Sequence, residues 1–218
     1  MYYISLQAHN VHVYAPNGWA RAVHRRWETE RVHINEGQAD IRRVYRGGLA
    51  GQLVSGVLWL VAAAVATWGS PDAAIATLFL GGMLIFPLTS LVLRLGGGPA
   101  GLPKGHPQKA LATQIAFTVP LGMVVAIVLG VLRPELFFPA AMVIVGAHYL
   151  PFVHLYGMRL FAVLAGVLSV GGVVLLFWLP APMPAGAWFT GVVLLVFAVL
   201  LRASAAALHR QRETTLSP

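Results

Sequence analysis

From Gly48 onward the chain alternates between long apolar runs and short polar connectors. A membrane-spanning helix needs about 20 mostly apolar residues. Six runs meet that length: Gly48–Trp68, Ala73–Leu93, Ala110–Leu132, Leu136–Tyr156, Leu160–Leu179 and Ala185–Leu201. The runs are unbroken and lack the polar–apolar alternation of barrel strands. The pattern therefore predicts an all-α polytopic membrane protein, a bundle of six transmembrane helices.

The connectors sharpen these ends. Gly69-Ser70-Pro71-Asp72 reads as a tight turn, with Pro71 suited to a first helical position and Asp72 to the positive helix N-terminus. Arg133-Pro134-Glu135 repeats the device before the fourth run, and Pro180-Ala181-Pro182-Met183-Pro184 precedes the sixth. The longest connector, 96–107, is rich in Gly and Pro and predicts a flexible loop. It is not a phosphate cradle, because no strand precedes it and no Gly-Lys-Ser/Thr closes it. A faint repeat relates runs one and two to runs three and four. Gln52 matches Gln114, Pro71-Asp72 matches Pro134-Glu135, and the mid-helix Pro87 matches Pro151.

Upstream, residues 2–14 alternate weakly like a strand, and Pro16-Asn17-Gly18 forms a turn. Trp19, Val23 and Trp27 then recur at helical spacing among Arg21, Arg25, Arg26 and Arg31, which predicts an amphipathic segment lying on the membrane surface. The organisation expected is an interfacial extension at 1–40, the six-helix domain at 41–204 and a tail at 205–218. No apolar signal core lies in the first part of the chain, so the first span is expected to direct its own insertion.

Charge orients the bundle. Of the 15 Lys and Arg residues, all except Arg133 fall in the N-terminal segment, alternate connectors or the C-terminal tail. Basic residues are retained on the cytoplasmic side. Both termini are thus expected in the cytoplasm, and the protein in the cell (inner or plasma) membrane as a multi-pass protein. The net charge of +8 then reflects lipid contact rather than nucleic acid, since no aromatic-rich basic patch accompanies it. Only 10% of residues are charged against 58% hydrophobic, whereas a soluble domain carries about 25% charged residues. Cysteine is absent, which removes thiolate chemistry and Cys-based metal sites.

No Asp, Glu, Lys or Arg lies deep within any run, which argues against a proton-driven carrier. The candidate chemistry gathers in the fourth run, at Gly146-Ala147-His148-Tyr149-Leu150-Pro151-Phe152. His148 sits roughly 13 Å from the cytoplasmic end, at 1.5 Å per residue. An imidazole at that depth needs a partner, and Pro151 frees the carbonyl of Ala147 beside it. Gln52, Ser55, Thr89, Ser90, Gln114 and Thr118 fall in the same half of the membrane. They predict a cytoplasm-facing pocket lined by His148, Tyr149, Gln114 and Gln52, with Pro87, Pro120 and Pro151 marking helix bends. His154 is six residues from His148 and points to another face, so the pair cannot hold a haem. His9, His12, His24 and His33 share no ligand spacing. No metal site and no cofactor is expected.

Three stretches carry a likeness to a known family. They are Arg42-Arg43-Val44-Tyr45-Arg46-Gly47-Gly48 leading into Gly51-Gln52-Leu53-Val54-Ser55-Gly56, His106-Pro107 through Gln114-Ile115-Ala116-Phe117, and Gly146 to Phe152 with Leu155-Tyr156. From about Ile41 to Leu201 the chain resembles an uncharacterised family of small bacterial six-span integral membrane proteins. Two departures are His106, where the resemblance implies Asn, and His154, where it implies an aromatic. The resemblance supports the topology and picks out His148, but it implies no activity.

The reading is therefore a small permease or solute-binding membrane protein, the alternative being a non-transporting scaffold or accessory subunit. An intramembrane enzyme fits worst, because no carboxylate, cysteine or paired histidine supplies the chemistry. The expected partners are the lipid bilayer and a small solute, with no nucleic acid. The spaced small residues Gly47, Gly51 and Ser55 favour close helix contact within a protomer or in a homo-oligomer.

Overall fold

The second apolar run is not one helix. In the computed structural model, which describes residues 34–216 apart from Lys104 and Pro180, it breaks into two helices bent by 57°. The elements in chain order are α1 (residues 34–44), a 3-10 turn at Arg46–Gly48, α2 (Leu49–Trp68), α3 (Pro71–Met83) and α4 (Ile85–Leu95). There follow α5 (Lys109–Leu132), a second 3-10 turn (Pro134–Leu136), α6 (Phe137–Tyr156), α7 (Leu160–Phe177) and α8 (Ala185–Leu216). No strand occurs among the described residues. The strand-like stretch at 2–14, the amphipathic segment around Trp19 and the histidines at 9, 12, 24 and 33 lie outside them.

The break lies at Leu84, three residues before Pro87. Proline has no N–H for the carbonyl four residues back, here Met83, and its ring crowds that carbonyl. Gly81 and Gly82 weaken the preceding turn further. Leu84 instead bonds back to Gly81 at 2.9 Å, and the helix restarts with Leu88 bonding to Leu84 at 3.0 Å. The single straight helix expected over Ala73–Leu93 is thus corrected to two helices that meet at an angle. Helical structure continues across Pro120 in α5 and Pro151 in α6. Pro87 and Pro151, matched in the faint repeat, therefore act differently.

The turns behave as their sequences suggest. The Ser70 side chain accepts from the backbone of Ala73 at 3.2 Å, ahead of Pro71 and Asp72. Arg133 pairs with Glu135 at 2.8 Å across the second 3-10 turn. Gly157 ends α6 in the left-handed region, at φ 64°. The last helix outruns its apolar stretch and continues to Leu216. Ala203 to Leu208 and the following Arg and Gln residues are good helix formers, and no Gly or Pro interrupts them.

Gly37–Pro218 forms one compact unit. Within it, α6 packs most extensively on α7 and α2 on α8, and α8 also touches α6 and α7. Gly146 and Gly172 allow the first contact. A Cβ on Gly146 would lie 2.7 Å from the backbone nitrogen of Ser169, and one on Gly172 would lie 2.7 Å from the Pro139 carbonyl. Of the glycines read as a close-packing stripe, Gly51 faces open space within the chain. Phe137, Phe138, Trp59, Met142, Leu164 and Leu168 fill the centre.

Among the described residues five helices are long and apolar enough to cross a membrane, or six where the bent pair counts as one span. Their outward faces are apolar: Val57, Leu80, Phe86, Leu121, Val128, Val170 and Val199 are all exposed. One end of the bundle carries Trp68, Trp178 and Trp188, as amphipathic rings do at a lipid–water boundary. Trp188 donates to Thr67 at 3.1 Å there. The other end, here the basic end, gathers Arg43, Arg46, Arg94, Lys109 and Arg159 at the helix termini and connectors, with Arg202 inside α8.

Candidate functional site

The helix α6 forms the floor of the site, because Gly146 seats it against α7 and turns His148 and Tyr149 toward the remaining helices. Tyr149 is buried and donates to Gln52 Oε1 of α2 at 2.8 Å. Ser55, one turn further along α2, is also buried. The pair is sealed: Tyr149 is 6% exposed and Gln52 4%. Gln52 and Tyr149 are thus brought together, but as a closed interhelical contact.

His148 faces the other wall. Its Nδ1 lies 3.0 Å from Thr118 Oγ1 of α5. The Thr118 hydroxyl itself lies 2.6 Å from the Ile115 carbonyl. The partner of His148 is therefore on α5, and not the Ala147 carbonyl that Pro151 frees. The ring is half-buried, whereas Ala147 and Leu150 beside it are exposed.

Gln114 is exposed and makes no hydrogen bond to any described residue. It precedes Thr118 by four residues and so shares that face of α5. It joins neither Gln52 nor Tyr149 directly. Its exposure follows from the break in the second span. After Leu84, α4 stays on α2 and makes no substantial contact with α5, while α3 packs on both α2 and α5. Toward the basic end, between α4 and α5, Gln114 and Thr118 are therefore left exposed. Thr89, on α4, is buried with its hydroxyl unpaired.

An aromatic column runs from the site to the basic end. His148 meets Phe152 at 5.0 Å, Phe152 stacks on Phe161 at 5.5 Å, and Phe161 meets Tyr156 at 4.9 Å. Above it lies a latch that sequence reasoning missed. Gln38 of α1 donates to the His154 carbonyl at 2.7 Å, Arg42 donates to the Tyr156 carbonyl, and Arg46 donates to the Gly96 carbonyl. These acceptors are the unsatisfied C-terminal carbonyls of α6 and α4, where positive charge is favoured. The available signal was the spacing of Gln38, Arg42 and Arg46, four residues apart. His106 lies 3.7 Å from Asp40 and accepts from the Gln108 backbone at 3.3 Å. An Asn at 106 would make the same bond to the backbone two residues on. Half-buried Tyr45 hydrogen-bonds the Leu102 backbone, and burial pushes its hydroxyl above the ordinary range.

Among the described residues no three His, Cys, Asp or Glu side chains gather as metal ligands would. A surface recess of about 440 Å³ lies at the Trp end, lined by Arg133, Glu135, Pro139, Leu175, Phe177 and Trp178. It is remote from His148, and its one cation is already paired with Glu135.

These features define an all-α multi-pass membrane protein with a small polar cluster inside its apolar layer. Residues 34–204 match the model of the family of unknown function DUF7010, and the chain belongs to that family. Nothing among curated proteins or solved structures matches it.

Proposed function

We propose that the protein is a small permease or solute-binding protein of the cell membrane, with both termini in the cytoplasm and a groove open to that side. The observation that carries the reading is the half-buried His148, held by Thr118 where α4 has swung away from α5. A polar group this deep in hydrocarbon is costly and tends to mark a solute path. Toward the Trp end α3 packs on both α2 and α5, which supports a site closed on that side. His148 anchors the solute, Thr118 and Gln114 line the α5 wall, and Gln52 with Tyr149 fixes the position of the floor. The concentration of Arg and Lys at the basic end supports the orientation.

The test is a thermal-shift screen of the purified chain in detergent with a panel of small solutes, followed by flux in proteoliposomes. At least one solute raises the melting temperature, and His148→Ala abolishes both that shift and the flux. Equal shifts in wild type and variant would remove the site.

The sealed Tyr149–Gln52 contact favours a second reading, a scaffold or accessory subunit. On that reading His148→Ala lowers stability and no solute shifts either protein.

A further inference from the structure

We infer that His148 offers the groove a bare lone pair at Nε2, so that the site takes an apolar-bodied molecule carrying a hydrogen-bond donor, an alcohol or amine rather than an ether, ester or ketone. The ligand class rests on the groove being a solute site; the position of the proton does not.

A neutral imidazole has one N–H, and its partners decide which nitrogen carries it. A carbonyl oxygen only accepts, so the Thr118 hydroxyl, 2.6 Å from the Ile115 carbonyl, directs its hydrogen there. The Thr118 oxygen then has only lone pairs for His148 Nδ1, 3.0 Å away. Nδ1 must donate. With the proton on Nδ1, Nε2 is an acceptor. No described residue bonds it, and it is not among the buried unpaired atoms, so it is open to its surroundings. Within hydrocarbon such an acceptor rewards a donor. Against an acceptor-only molecule it sets lone pair against lone pair. The neighbours Ala147, Leu150 and Phe152 suit an aliphatic body.

The experiment is nitrogen-15 NMR of the full chain, labelled at histidine, in lipid nanodiscs, with the His148 signals assigned by their loss in His148→Gln. The expected spectrum shows a proton on Nδ1 and none on Nε2. A proton on Nε2, alone or with Nδ1, overturns the inference. The second arm adds n-decanol or decyl methyl ether at matched bilayer concentration. Decanol is expected to move the Nε2 signal at a concentration about threefold to tenfold lower than the ether, the range of one net hydrogen bond. Equal responses overturn the donor requirement. No response to either, with the proton on Nδ1, overturns the ligand class through the groove reading and leaves the tautomer standing. Thr118→Val provides the control: losing the acceptor lets the Nε2–H form appear.

Discussion

Tyr149 and Gln52 are 97 residues apart in the chain and meet in a buried 2.8 Å hydrogen bond that ties α6 to α2. Tyr149→Phe would leave the Gln52 carbonyl without its donor while keeping the ring packed on Phe152 and Phe161. Interhelical hydrogen bonds in membranes average about 0.6 and reach about 1.7 kcal/mol. With the acceptor sealed in, the expected loss is at the upper end of that range. A double-mutant cycle with Gln52→Leu, read by reversible unfolding in mixed micelles, should give a coupling of similar size. Additive losses would show that the two side chains do not work as a pair.

The glycines separate packing from mere helix composition. An alanine Cβ at Gly146 would stand 2.3 Å from Ser169 Oγ and 3.0 Å from the Ala165 carbonyl, so α6 and α7 would have to part. Overpacking of this kind costs about 1–3 kcal/mol. Gly51 has nothing within 4 Å of the same position, and Gly→Ala in an open helical site gains about 0.5–1 kcal/mol. Gly146→Ala should therefore lower the melting temperature and Gly51→Ala should hold or raise it. A lowering by Gly51→Ala would indicate a contact from outside the chain, such as a second copy.

Much of this architecture is legible in the sequence, for a simple reason. Span length and turn chemistry are local: twenty apolar residues, a Ser-Pro-Asp start and a Gly stop need no knowledge of neighbours. The prominence of His148 is equally local, since it is an imidazole far from either end of an apolar run. Its partner is not local. Thr118 and Gln114 both sit in α5 with similar polarity, and only the angle between α5 and α6 decides which meets the ring. The same holds for Gln38 and Arg42, whose carbonyl acceptors at His154 and Tyr156 lie more than a hundred residues on. Pro87 announces a disturbance, but the 57° of the bend depends on how α4 settles against α2.

That bend can be tested directly. Pro87→Ala restores an N–H facing the Met83 carbonyl and removes the ring that crowds it. If Pro87 causes the break, α3 and α4 should move toward one straight helix. The chain contains no cysteine, so spin labels can be placed at Asp72 and Leu95, both exposed, without background. At 1.5 Å per residue, straightening lengthens their separation by about 4 Å. An unchanged distance would assign the bend to packing on α2 rather than to the proline.

Alkaline pH should loosen the basic end through Tyr45. Burial raises the hydroxyl above its ordinary value of 10.0, and the backbone hydrogen bond with Leu102 opposes this only in part. A folded value above the unfolded one means that the folded chain holds this proton more tightly. The contribution is whole below about pH 10 and is lost as pH rises through the folded value. Tyr45→Phe cannot ionise, so it removes that part of the pH dependence while the other tyrosines titrate in both proteins. Melting temperatures measured in one detergent from about pH 8 to pH 11 should fall more steeply for the wild type than for Tyr45→Phe. Parallel curves would mean that Tyr45 reaches water freely on ionising, and that the connector carrying Leu102 does not hold it against the bundle.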